Sequence, residues 1–314
     1  MAADGGTKAV ITALVANLGI AVTKFVAWAL TGSSSMLAEG VHSLADSSNQ
    51  ALLLIGGRRA KRQASPTHQF GYGRSRYIYA FIVSIVLFSL GGLFALYEAW
   101  HKWSDPHPID AWHWVPPLVL TVAIALESLA LRTAVIEANK VRGRLPWLRY
   151  IRKTRSPELP VILLEDLGAL VGLVFAMAGV GLTLLTGDGR WDAAGTAAIG
   201  LLLVVIAVFL AIEMASMLLG ESAVPEHHSA IEAALVGEGV DSVIQMRTLH
   251  LGPDEILVAA KIAVTRSDTA EEIARAIDEA EQRARAAAPL AMQIYLEPDL
   301  LSKGAAMGNR SESH

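Results

Sequence analysis

The stretch Ala38–Gln50, AEGVHSLADSSNQ, decides how this chain is read. It carries a glutamate, a histidine, an aspartate, an asparagine and a glutamine within three helical turns, yet it follows TGSSSML and runs straight into ALLLIGG. An aspartate at the centre of a membrane helix costs about 2.5–3.5 kcal/mol on insertion scales, so in a lipid-embedded segment such residues are there for a task. The first question is therefore whether the surroundings are a membrane.

Composition answers it. Hydrophobic residues make up 53% of the 314 positions and charged ones only 18%, with a mean hydropathy of +0.42. Runs such as Ala80–Ala99 (AFIVSIVLFSLGGLFALYEA) and Ala193–Ile212 (AAGTAAIGLLLVVIAVFLAI) are long enough to cross a hydrocarbon core of about 30 Å as helices. Hydropathy and length predict six spans, near Ala9–Leu30, Ser35–Leu54, Tyr77–Trp100, Ala111–Ala134, Pro160–Leu185 and Asp192–Leu219. Pro116–Pro117 marks the first turn of the fourth span or kinks its start. The leading MAADGGTK has no basic region and no small-residue cleavage pattern, so a retained first span is expected rather than a leader peptide. The net charge of −4 averages a membrane part and a polar part and says little about partners.

Orientation follows from Lys and Arg. The connections GGRRAKRQASPTHQFGYGRSRY and NKVRGRLPWLRYIRKTR are dense in positive charge, whereas TGSSS, HKWSDPHPIDAWHW and TGDGRWD are nearly free of it. The positive-inside rule then puts both termini and both basic loops in the cytoplasm of a multi-pass protein, with the cell (inner) membrane as its expected location. Beyond Glu221 the composition changes. HHSAIEAALVGE reads as a short amphipathic helix, VDSVIQMRTLHLGPDEILVAAKIAV as two strands about a Gly-Pro-Asp turn, SDTAEEIARAIDEAEQRARAAA as a capped helix, and LAMQIYLE as a third strand. The expected organisation is a membrane domain over residues 1–219, a small α+β cytoplasmic domain over 220–299, and a disordered tail over 300–314.

Zero cysteines exclude disulfides, thiolate ligands and cysteine nucleophiles within this sequence. His42 and Asp46, spaced i, i+4, leave one face of the second span and can give an imidazole nitrogen and a carboxylate to one divalent ion, zinc above all. Two ligands do not close a site. The fifth span, PVILLEDLGALVGLVFAMAG, offers Glu165 and Asp166, about 100° apart on their helix: one is a ligand, and the other braces it or carries a proton, the sequence leaving open which. Gly168, Ala169, Gly172 and Ala176 form a small-residue stripe that admits a neighbouring helix. Asn49, i+3 from Asp46, can brace it, and Asn17 is another interhelical hydrogen-bonding candidate. Lys24, Glu98 and Glu213 lie towards span ends, where long side chains snorkel. Glu127 is deeper and could neutralise Arg132 or a neighbour. His101, His107 and His113 are read as exposed. No Ser-His-Asp set, P-loop or dinucleotide fingerprint points to an enzyme, and Gly71-x-Gly73 alone is too weak to count. A polyamine carrier would want an aromatic cage, and spans two and five offer only Phe175 near their acids.

These residues together resemble a known family. SSSMLAEGVHSLADSSNQ is similar to the second-span signature of the cation diffusion facilitators, S-x-x-L-x-A-(D/E)-x-x-H/D-S-x-x-D. THQFGYGRSR resembles the family's H-x-F-G-(H/Y)-G-(K/R) motif, and LLEDLGALVG the branch with L-L-E-D in place of H-x-x-x-D. The resemblance implies a homodimer that exchanges Zn²⁺ for protons by alternating access, with no organic cofactor and no nucleic-acid partner, and a ferredoxin-like cytoplasmic domain. It implies a transport site of His42, Asp46, Asp166 and Glu165, the last because Ile162 stands where a histidine is usual. That oxygen-rich set also suits Fe²⁺, Mn²⁺, Co²⁺ or Cd²⁺; a non-transporting membrane sensor is the rival reading. A loop site found in some members is only partly matched, by His68, since Ser65 and Tyr72 occupy its other positions. The binuclear tail site is not matched by His227, His228 or His250, with Ala260–Lys261 where a histidine is often found. Arg74 and Glu221 are the implied charge pair that locks the dimer.

Overall fold

The computed structural model describes residues 18–107, 109, 112–265 and 267–300, which fall into two units. The start of the first predicted span, Asn17 and nearly all of the predicted tail lie outside the described residues.

The larger unit is helical. Its elements are α1 (Leu18–Thr31), α2 (Ser34–Ala60), α3 (Ser75–Ser104), α4 (Val115–Arg142), α5 (Trp147–Lys153), α6 (Glu158–Thr186) and α7 (Arg190–Leu219). Among the described residues four helices, α3, α4, α6 and α7, are long and apolar enough to cross a membrane. Many of their large apolar residues face outward, Leu201, Val205 and Ile212 on α7 for instance, while others, such as Leu120, Leu173 and Leu203, are buried between the helices. Pro116 and Pro117 sit in the first turn of α4, where their missing N–H groups have no helical partner to lose. Inside α3 a wider π turn runs over Leu87–Leu93 and contains Gly91–Gly92; a Cβ on Gly92 would lie 2.6 Å from Val204, so the glycine lets α7 approach. α4 packs along α6.

α2 opens on a cap of its own, the Ser33 hydroxyl oxygen accepting from the Met36 N–H at 3.3 Å. Asp192, buried at the start of α7, adds to it: its carboxylate accepts from the backbone N–H groups of Ser34 (2.8 Å) and Ser35 (3.3 Å) and from the hydroxyls of Ser33 and Ser34. These are donors that a helix N-terminus leaves unsatisfied, and a negative charge there also meets the positive end of the helix dipole.

The smaller unit holds α8 (Pro225–Leu235), β1 (Ser242–Gly252), β2 (Glu255–Ala263), α9 (Ala270–Ala287) and β3 (Ala291–Asp299), as the sequence pattern predicts, together with the loop 60–74. The sheet order is β1-β2-β3, with β1 antiparallel and β3 parallel to β2. A two-residue turn at Pro253–Asp254 allows the first pairing, and the crossover through α9 is what a parallel neighbour requires. Ala276, Ala280 and Ala284 recur every fourth residue on α9 and bury against Ile256, Val258, Ile262, Ile231 and Leu235. Gly73 brings the 60–74 loop onto the β1–β2 turn, where a Cβ would stand 2.7 Å from the Leu251 carbonyl oxygen.

Candidate functional site

The helical repeat puts Glu39, His42, Asp46 and Asn49 on one face of α2. Burial agrees: Glu39, His42 and Asn49 are at most 1% exposed. His42 Nε2 stands 3.4 Å from Asp46 Oδ2. Neither ring nitrogen of His42 has a hydrogen-bond partner, and neither do Asp46 Oδ1 and Asn49 Oδ1. Buried polar atoms are nearly always paired, so a row of buried polar atoms without partners on one helix face marks this face as the candidate site.

α6 meets this face through Glu165, which accepts a 2.7 Å hydrogen bond from Asn49 Nδ2 and is 5% exposed. About three turns nearer the start of α2, Glu39 Oε1 lies against Gly172, where an added Cβ would come within 3.1 Å. The small-residue stripe of α6 divides its work, since a Cβ on Gly168 would meet Ile206 of α7 at 2.7 Å. Asp166 is half-buried and acts on Asp46 and Glu165 at electrostatic range. Glu127 of α4 lies at electrostatic range of Asp46 and of Lys24, and Glu127 and Asp46 line one small cleft with Ile20 and Ser43. Among the described residues no three His, Asp or Glu side chains stand close enough together to hold an ion at once. The structure thus joins His42 to Asp46, ties Glu165 to the same face through Asn49, and leaves Asp166 at the margin.

Two polar groups were not given their part by the sequence. Lys24 does not snorkel: it is 1% exposed and its Nζ donates to Glu39 Oε2 at 2.9 Å and to Ser43 Oγ at 2.7 Å. The Asp192 clamp on Ser33–Ser35 was likewise missed, although three serines before a helix and a lone acid opening another were its signal. His101, His107 and His113 are exposed as expected.

In the smaller unit His68 stacks on Tyr72 (4.5 Å between centroids) and shares a hydrogen bond with Thr67, while Ser65 bonds to the Tyr72 hydroxyl, so the loop positions satisfy one another. His250 is buried with Nδ1 3.1 Å from the Gly252 carbonyl, and His228 faces Glu232 at 3.8 Å. Lys261 bridges Glu297 (3.2 Å) and Asp299 (3.0 Å), whose hydrogen bonds hold its amine above the usual lysine range. Arg74 lies against Gly220, and the neighbouring Glu221 accepts from Ser216.

Comparison with known proteins bears on this geometry. The family model described as the cation efflux transmembrane domain matches residues 10–219. The mitochondrial proton-coupled zinc antiporter SLC30A9 of Homo sapiens is 31% identical over 271 residues, 84% of this chain and 48% of that protein. Metal tolerance protein C4 of Arabidopsis thaliana is 27% identical over 259 residues, 81% of this chain and 56% of that one. Zinc transporter ZitB of Pectobacterium atrosepticum is 27% identical over 183 residues, 58% of this chain and 52% of that one. The chain spans about half the length of these relatives, which are membrane transporters and not enzymes. With four apolar, membrane-length helices and a family model over most of its length, the chain is an integral membrane protein of the cation diffusion facilitator family.

Proposed function

We propose that the chain exports a divalent metal ion, Zn²⁺ first, in exchange for protons by alternating access, through a site built from His42, Asp46, Glu165 and Asp166. The observation that carries this reading is the row of unpaired buried acceptors on α2, on His42, Asp46 and Asn49. Nitrogen and carboxylate donors suit zinc, and the carboxylate share also admits Fe²⁺, Mn²⁺, Co²⁺ or Cd²⁺. Such ligands bind metal only when deprotonated, so loading an ion expels protons and protonation expels the ion; competition for the same atoms couples the two flows. Glu165 reaches the ion by exchanging its Asn49 hydrogen bond for ligation, which draws α6 towards α2. Asp166 then serves as the remaining ligand or as a proton carrier.

The same reading takes α1 and α2 as two further spans. α2 has 27 residues, about 40 Å of helix, long enough to span, and is less apolar than the other four because of its polar face. The smaller unit, with its α-β-β-α-β order, is then a ferredoxin-like cytoplasmic domain that pairs in a homodimer, with Arg74 and Glu221 as the locking charges. Both termini face the cytoplasm and the protein lies in the cell membrane. The test is proton flux into proteoliposomes driven by a Zn²⁺ gradient. Asp46→Ala is expected to lower it at least about 100-fold while insertion and elution stay unchanged. Unaltered flux removes Asp46 from the path, and uptake that stops at one ion per site marks a sensor instead of a transporter.

A further inference from the structure

Lys24 is a cation buried inside a site meant for cations. Its ammonium is clamped between Glu39 and Ser43, the residues three before and one after His42 on α2. It acts at electrostatic range on Asp46, His42 and Glu127. Glu39 acts on His42 and Glu127. A buried pair of this kind adds little to stability, because desolvating two charges offsets most of their attraction, and apolar residues of like volume would hold the helices as well. Ionisable residues inside a membrane are kept for what they do to the traffic there.

We propose that Lys24 sets the affinity of the α2 site: a tethered internal positive charge, held in place by Glu39 and Ser43, that weakens the hold on the divalent substrate enough for release. The proposal rests on the transport reading above. A carrier must let its ion go on the far side, and a row of acids around Asp46 with no counter-charge would retain a doubly charged ion. A fixed ammonium at electrostatic range of Asp46 repels the ion at every stage of the cycle and asks for no moving part. The geometry supports a fixed charge, since two hydrogen bonds and complete burial leave the side chain one position. The free Glu39 Oε1, lodged at Gly172, keeps the clamp against α6 as well.

The experiment is calorimetric titration of the full-length protein in detergent with Zn²⁺ alone, beside turnover in proteoliposomes. Lys24→Met removes positive charge and is expected to tighten Zn²⁺ binding about tenfold while lowering both KM and kcat; Glu39→Gln leaves the ammonium unopposed and is expected to weaken binding by a similar factor. Opposite signs are the electrostatic signature, because a merely structural pair would shift both variants the same way, and such a result overturns the proposal. If a single variant does not fold, the neutral pair Lys24→Met with Glu39→Gln decides: binding several-fold tighter than wild type supports Lys24 as the charge felt at Asp46, and wild-type or weaker binding overturns it. A wild type that binds Zn²⁺ but never turns over refutes the transport reading by itself, while the order of affinities still judges Lys24.

Discussion

The two units of this chain differ in the polar groups they bury. In the helical unit charged and polar side chains, Lys24, Glu39, His42, Asn49, Glu165 and Asp192, are inside beside apolar ones such as Leu120, Leu173 and Leu203, and other leucines and valines of α4 and α7 face out. In the smaller unit Ile231, Ile256, Val258 and Ile262 are inside, and the paired charges of Lys261, Glu297 and Asp299 remain at the surface. The difference is one of solvent. Where lipid surrounds the fold, apolar burial gains nothing, so an interior is free to be polar if its polar atoms are paired or in use. Where water surrounds it, apolar burial is the main driving force and an unpaired polar interior is costly. Polar changes should therefore strike transport in the first unit, and apolar changes should strike stability in the second.

Asp46→Ala is the largest effect on the first side of this contrast, a loss of flux with little loss of fold. Its counterpart is Ile262→Ala in β2. Ile262 is fully buried and pairs across the sheet with Val243 and Pro298. Truncating it should destabilise its unit by about 2–4 kcal/mol, read as a lower melting temperature, while Zn²⁺ affinity in the solubilised protein stays at the wild-type value. A changed affinity with an unchanged melting temperature would break the contrast. Asp192→Ala crosses it, because this polar residue is structural. Removing the carboxylate strips the donors of Ser34 and Ser35 of their acceptor and should cost about 1–2 kcal/mol, seen as faster hydrogen exchange in the first turn of α2. Asp192→Asn should recover part of that protection by keeping a side-chain oxygen.

Much of this was legible in the chain, and the gaps have physical causes. The strands, the Pro253–Asp254 turn and the Thr269 cap follow from local pattern, since each is set by neighbours in sequence. Helices α3, α6 and α7 begin and end within a few residues of the expected spans. α2 runs on to Ala60 instead of stopping near Leu54, because hydropathy ends at GGRRA and helical hydrogen bonding does not. The short α5 was hidden in a basic loop, its apolar side formed by Tyr150 and Ile151 packed on Ala134, Ala138 and Leu163. Of the site, His42, Asp46, Asn49 and Glu165 could be found by asking which polar residues an apolar segment carries. The Lys24–Glu39 clamp could not, because nothing local distinguishes a lysine that snorkels from one that turns inward to a partner fifteen positions away. Asn49 makes the interhelical hydrogen bond expected of it, donating to Glu165 across the helices.

The smallest effect sharpens the contrast at the water-facing surface, where a charge is worth what its hydrogen bonds make it worth. Thr269 opens α9 with a reciprocal cap: its hydroxyl accepts from the Glu272 N–H at 3.3 Å, and the Glu272 carboxylate accepts from the Thr269 N–H at 2.7 Å. The backbone N–H of Thr269, followed by its hydroxyl, holds the Glu272 carboxyl below the ordinary glutamate value of 4.5. A folded-state value below the unfolded one means that the cap's contribution is complete above the unfolded value and fades as pH falls through the folded one. Thr269→Ala should therefore lower stability by about 1 kcal/mol at neutral pH, with the gap between variant and wild type narrowing below about pH 4. Melting curves of both proteins across that range would show it. A gap that stayed constant into acid would mean that the threonine hydroxyl alone, with no help from the glutamate, caps the helix.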